Sequence, residues 1–266
     1  MTRDGNEQAM AAAFFDVDNT LMRGASLYHL ARGMAAHRFF TRRQLRSFAW
    51  KQAKFLASGR EIHKDLRSVT EAALGIVAGR SVHKVLSITE EIVDDILVNK
   101  LWPGTLALAH EHLNAGREVW LVTASPQLLA DALARRIGLT GAIGTRVEVV
   151  DGLFTGRLSG APLHGEAKAA AIAELGAERG LDLALSTAYS DSTNDLPMLQ
   201  VVGNAVVVNP DRRLRREAGR RGWAIVDHRR SRFLYNSNVP ASPSVAAGAG
   251  LAAGLAAAAV LRKRER

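Results

Sequence analysis

A single strand-like run opens this chain, residues 11–15, and it stops at Asp16-Val-Asp18. From residue 21 to about residue 101 no strand-like alternation follows, and apolar residues recur instead at helical intervals. Leu45, Phe48, Ala49, Gln52, Phe55 and Leu56 make one stripe. Ile88, Ile92, Asp95, Ile96 and Asn99 make another, with Thr89 and the acidic residues expected to face away. After Trp102-Pro103-Gly104 the pattern changes to a helix over 105–115, a strand over 118–123 and a helix over 127–137. Residues 146–158, broken by Asp151-Gly152, read as a β-hairpin. A helix over 165–179, a strand over 184–189, a short helix after Thr193 and a strand over 205–208 complete the set. Such alternation predicts an α/β fold: a Rossmann-like, mostly parallel sheet with helices on both faces. A small all-helical segment is inserted after its first strand. The expected division is a catalytic core over 1–20 and 102–235, a helical cap over 21–101 and an Ala/Gly-rich tail over 236–266.

In an open parallel sheet, ligands bind beyond the carboxyl ends of the strands. The first strand delivers Asp16, Asp18 and Thr20 there, the next Thr123, Ala124 and Ser125. A later strand delivers Asp191, Asn194 and Asp195, and Lys168 lies near the start of the intervening helix. Two carboxylates two residues apart can share a pocket with different tasks, Asp16 attacking an electrophile and Asp18 donating and then removing a proton. Bare carboxylates repel a dianionic phosphate. A hard divalent cation resolves that conflict, because Mg2+ binds through one or two carboxylates plus phosphate oxygens. Asp191 is the natural third partner, and Lys168 and Thr123 offset charge on phosphoryl oxygens. The run from Asp16 also mimics the start of a calcium loop. That reading fails, because the sixth loop residue is Leu21 rather than Gly and the twelfth is Leu27 rather than Glu. Taken singly, Asp195 and Thr123 would pass for helix caps and Lys168 for a solvated helix residue.

The order FFDVDNTL, LVTAS, GEAK and YSDSTNDLPML resembles the four motifs of the haloacid dehalogenase superfamily of phosphohydrolases. The helical insert after the first motif is similar to the cap of its phosphoserine-phosphatase-like branch. The resemblance implies a Mg2+-dependent phosphomonoesterase that works through an aspartyl phosphate on a small phosphorylated metabolite. It implies Asp16 as nucleophile, Asp18 as acid/base and Asp16, Asp18 and Asp191 as metal ligands, Asp18 through its carbonyl. It further implies Thr123, Ala124, Lys168 and Asn194 on the phosphate, with Asp195 and Thr20 in support. One departure bears on the substrate. Phosphoserine phosphatases resemble DxDxT followed, nine residues after the nucleophile, by a Glu that pairs with the substrate ammonium. Ala25 stands there in this chain, and residues 19–60 hold no acid at all. Phosphoserine therefore competes with a more anionic or lipid-like ester, and a regulatory protein built on the same scaffold is the non-catalytic alternative.

Charge and the chain ends bear on partners. Lys and Arg number 35 against 26 Asp and Glu, a net charge of +9, which favours anionic partners. No helix-turn-helix or aromatic RNA-binding motif accompanies that charge, so nucleic acid is not expected. Arg42, Arg43, Arg46, Lys51 and Lys54, interleaved with Phe48, Trp50 and Phe55, read as a basic amphipathic helix, either packed as part of the cap or leaning on anionic lipid. Arg212, Arg213, Arg215, Arg216, Arg220 and Arg221 read as the exposed face of a late helix, and His29 and His37 as structural. Residues 245–261 are uncharged and apolar but rich in Ala and Gly, so the tail is either a helical or disordered extension or a membrane-touching one. The N-terminal residues lack the basic start of a signal peptide. There is no cysteine, which excludes disulfides, zinc-thiolate sites and a cysteine nucleophile. A cytoplasmic location is expected, with peripheral membrane contact as the alternative.

Overall fold

The computed structural model describes residues 10–39, 74, 75 and 77–229. The Leu45–Leu56 stripe, the basic segment around Arg42–Lys54 and the apolar tail lie outside these residues. Six parallel strands form the main sheet, in spatial order β3-β2-β1-β6-β7-β8. They are β1 (Ala12–Phe15), β2 (Glu118–Pro126), β3 (Gly141–Thr145), β6 (Thr187–Ser190), β7 (Asn204–Val208) and β8 (Ala224–Val226). The all-parallel sheet matches the sequence expectation. Chain order runs outward from β1 through β2 to β3, then returns to β6 and runs the other way. The strand order therefore reverses between β1 and β6.

Both faces of β1 are buried, and period-2 alternation splits its four residues between two apolar layers. Ala13 and Phe15 join one core with Leu121, Leu129 and Leu133, whereas Ala12 and Phe14 join the other with Val122, Ile172, Met198 and Leu214. The first layer is covered by α1 (Ser26–Ala36), α2 (Val82–Ile92), α3 (Pro103–Asn114) and α4 (Gln127–Arg136). The second lies under α5 (Glu166–Arg179), α6 (Leu196–Gln200) and α7 (Arg212–Arg221). Of these, α1 and α2 leave the sheet after β1 and belong to the segment inserted before β2. No helix of the described residues is long and apolar enough to cross a membrane.

Four local features differ from the sequence reading. Thr89 does not face away: it is fully buried, and its hydroxyl donates to the Val85 carbonyl at 2.7 Å. That back-bond satisfies the hydroxyl internally, which lets Thr89 pack like an apolar residue. Beyond Ile92 the chain takes a π-helical turn, Val93–Leu97, which adds a residue to the turn and buries Leu97 fully, while Ile96 stays partly buried against the same core. β6 begins at Thr187 rather than residue 184, because Asp182 caps a turn there by accepting from the amides of Ala184 and Leu185. Two strands carried too weak a signal to be read. β3 is the Gly-rich run Gly141–Thr145, and β8 is a three-residue edge. β3 is held in part by Gln127, whose side chain accepts from Gly144 N at 2.6 Å and donates to Ala142 O at 2.9 Å. The hairpin is as expected: β4 (Val147–Val150) pairs antiparallel with β5 (Leu153–Leu158). Asp151 and Gly152 take φ of 50° and 73°, the left-handed pair a tight two-residue turn requires.

Candidate active site

β1 and β6 pair in parallel with Phe15 opposite Tyr189, and the pairing runs one step further as Asp16 N donates to Tyr189 O at 3.0 Å. Asp16 and Asp191 thus leave adjacent strands side by side, at the point where the strand order reverses. Open α/β sheets offer their ligand crevice at that place.

Lys168, in the first turn of α5, reaches this edge from below. Its ammonium donates to Asp16 Oδ1 at 2.6 Å and to Asp195 Oδ2 at 2.9 Å, and Ser190 Oγ donates to the same Asp195 oxygen at 2.8 Å. All three charged side chains are almost fully buried. Asp18 lies one turn on, where its Oδ1 accepts from the backbone N–H of Ser26 at 2.8 Å. Ser26 Oγ in turn meets Ser125 Oγ at 2.7 Å, so β1, α1 and the end of β2 are joined at one place. Thr20 donates a long bond, 3.4 Å, to Asp191 Oδ1.

The electrostatics are lopsided, with four carboxylates around one ammonium. Burial pushes Asp16 up to about 7 against the pull of Lys168, and the charges of Asp195 and Asp18 push the same way. Burial likewise raises Asp18, partly offset by its bonds to Ser26. Asp191 is raised well above the carboxylate range by burial and by Asp16, Asp195 and Asp18. Lys168 goes the other way. Burial opposes its charge, but Asp16 and Asp195 outweigh burial and hold the ammonium above its ordinary value. The two partners differ because Lys168 has two acids to itself, whereas Asp16 shares one cation with three other acids. Such a site has a surplus of negative charge that a further cation would balance. Every donor at this edge is an oxygen, as Mg2+ requires. Among the described residues no three acid or imidazole side chains close on a single point. One or two carboxylates with a carbonyl oxygen is the donor set that Mg2+ completes with water and phosphate.

The remaining expected residues are less tightly gathered. Thr123 is buried and its hydroxyl accepts from Ser125 N at 3.1 Å, while Ala124 O accepts from Thr145 Oγ1 at 2.7 Å. Asn194 is exposed, its backbone N–H donating to Ser192 Oγ at 3.2 Å. Neither Thr123 nor Asn194 bonds to Asp16, Asp18 or Lys168. Four participants went unread in the sequence. Ser26 and Ser190 contact the acids directly. Thr193 and Asp211 brace the Asp191 loop through Thr193 Oγ1 to Asp211 at 3.0 Å and Asp211 N to Asp191 O at 3.0 Å. Asp211 had a local signal: it precedes an Arg-rich helical run and caps α7 by accepting from Arg213 N and Leu214 N. Ser26, Ser190 and Thr193 had none, since small hydroxyl residues are common at the ends of strands and helices.

A buried lysine thus bridges two acids at the switch point of an open parallel α/β sheet. Residues 13–200 match the haloacid dehalogenase-like hydrolase family, and the chain belongs to that family, in its phosphoserine-phosphatase-like branch; it is a phosphatase. It is 50% identical over 246 residues to phosphoserine phosphatase SerB1 of Mycobacterium tuberculosis, covering 92% of this chain and 80% of that protein. It is 29% identical over 222 residues to a histidinol-phosphatase of Neisseria meningitidis serogroup C, covering 81% of this chain and 97% of the other. Among solved structures, a protein of unknown function from Bordetella pertussis Tohama I superposes with a TM-score of 0.71 at 29% identity, covering 82% of this chain and 99% of that one.

Proposed function

We propose that the enzyme hydrolyses a small phosphate monoester with Mg2+ through an aspartyl phosphate on Asp16. The observation that carries this reading is the Lys168 ammonium, buried between Asp16 and Asp195 at 2.6 and 2.9 Å. An oriented carboxylate beside a fixed cation is what attack on phosphorus requires. An Asp16 oxygen forms the bond to phosphorus as the ester oxygen leaves. Asp18 gives that oxygen a proton, then takes one from the water that cleaves the acyl phosphate and frees inorganic phosphate. The burial that raises Asp18 favours the protonated form needed in the first step. Lys168 faces the phosphoryl oxygens, with Thr123, Ala124 and Asn194 as further phosphate contacts, Asp195 holding Lys168 and Thr20 supporting Asp191. Mg2+, held by Asp16, Asp191 and the Asp18 carbonyl, would neutralise phosphate charge.

We read residues 21–101 as the cap and residues 1–20 with 102–235 as the catalytic core, in keeping with the helices that leave the sheet after β1. The name of the Mycobacterium tuberculosis relative makes phosphoserine the first ester to test, and the Neisseria meningitidis name adds histidinol phosphate. Against phosphoserine stands Ala25, half-buried where an ammonium-pairing acid is expected. The test is phosphate release from a panel of monoesters with Mg2+, with Asp16→Asn in parallel. Turnover is expected from the parent and none from the variant, with unchanged circular dichroism. Activity retained by Asp16→Asn would remove the nucleophile assignment.

A further inference from the structure

Between the inserted helices and the core lies an apolar cavity of about 350 Å3, at the small end of the roughly 300–1,000 Å3 that ligand pockets occupy. Its described wall includes Leu30 and Met34 of α1, Val85 and Leu86 of α2, Leu129 of α4 and Phe154 of β5. One end abuts the catalytic edge. Leu27 and Pro126 both line it, and they directly follow Ser26 and Ser125, the hydroxyl pair at 2.7 Å whose Ser26 also holds Asp18. Elsewhere the wall includes Val149 of the β4–β5 hairpin, 43% exposed, and the adjoining Val150 and Leu153 are exposed too. An apolar track thus runs from an exposed hairpin to the edge where Asp18 stands.

The polar groups on this wall have partners within the protein. Gln127 donates to Asp131 at 2.7 Å and to Ala142 O, and accepts from Gly144 N. Arg135 pairs with Glu90 at 2.9 Å, and Thr89 donates to Val85 O. Among the described residues the one acid of the wall, Asp131, meets only the neutral Gln127 amide, and the rest of the wall is mainly apolar, so recognition there rests chiefly on dispersion and the hydrophobic effect. We propose that this cavity takes the alcohol part of the substrate, and that the preferred ester is a phosphate monoester of an alcohol bearing one alkyl or acyl chain. The proposal rests on the phosphatase reading above and names its substrate class.

The test uses the full chain with Mg2+ and linear alkyl phosphates from methyl to dodecyl, kept below micelle-forming concentrations. Phosphate release is measured alongside phosphoserine and histidinol phosphate. In parallel, non-hydrolysable alkyl phosphonates of the same lengths are titrated calorimetrically. With each methylene moved from water into the cavity, kcat/KM is expected to rise about fourfold until the cavity is full, and phosphonate affinity should follow. Leu86→Lys, a charge on a half-buried wall position, should collapse the long-to-short ratio. Turnover that is flat with chain length, or phosphoserine or histidinol phosphate preferred over octyl phosphate, would overturn the proposal while leaving the phosphatase reading intact. Absence of turnover with every ester would count against the phosphatase reading instead. The phosphonate titration then decides the cavity alone, with flat affinities refuting it and rising ones upholding it.

Discussion

Lys168 shows how one residue's role depends on partners far away in the chain. A lysine early in an Ala-rich helix looks like a solvated residue, yet it is almost fully buried between an acid 152 positions before it and one 27 positions after it. Removing a single partner from a buried ion pair leaves uncompensated charge and costs about 3–5 kcal/mol. Lys168→Met is therefore expected to lower unfolding free energy by that order, read from urea titration. It should also cut turnover by roughly a hundredfold or more, since a fixed cation is lost from the phosphoryl group. Adding Asp16→Asn to Lys168→Met should restore part of the stability and none of the activity. The acids were legible in the sequence because their spacing follows the strand ends. The bond from Ser26 N–H to Asp18 was not, because it forms only when α1 starts where it does.

At the scale of elements, the insert is tied to itself and to the core by close packing. Gly33 of α1 sits against Ile92 at the end of α2, and a Cβ added there would lie 2.7 Å from two of its side-chain carbons. Ile92 is fully buried and β-branched, so it has little freedom to yield. Gly33→Ala should gain up to about 1 kcal/mol in helix propensity but lose about 1–3 kcal/mol to overpacking. A net fall in melting temperature is expected in differential scanning calorimetry, and a rise would show that α1 and α2 can slide apart. The helices themselves were readable from 3.6-residue spacing, and the hairpin from Asp151-Gly152. The buried side of α2 was misread at Thr89, and the π turn beyond Ile92 was not foreseen, because neither a back-bonded hydroxyl nor a π turn leaves a mark in apolar periodicity. β3 and β8 were invisible for local reasons of their own: β3 is rich in small residues, and β8 is only three residues long, so each depends on its neighbour's free backbone groups.

For the molecule as a whole, the surplus of carboxylates links stability to pH and to cation. Asp16 rises on folding from 3.8 to about 7, so the folded state binds its proton more tightly than the unfolded chain. Its contribution is favourable below pH 4 and is lost as pH rises towards 7. In chelator, the melting temperature is expected to carry a downward component from this site across that window, and Asp16→Asn should remove it. Saturating Mg2+ should raise stability, by about 2.7 kcal/mol at a hundredfold excess over Kd, and more at neutral than at mildly acidic pH. Equal stabilisation at both would argue that the ion binds elsewhere. What the sequence determined alone is the local and periodic part: the alternation of strands and helices, the helical insert, and the acids placed just past strand ends. Those follow from side-chain period and backbone sterics, which act over a few residues. Tertiary structure alone decided the strand order that sets Asp16 beside Asp191, the burial that raises their pKa values, and the hydroxyl pair Ser26–Ser125. It alone also closed an apolar cavity between α1, α2, α4 and the hairpin, since desolvation and contact depend on which distant segments meet.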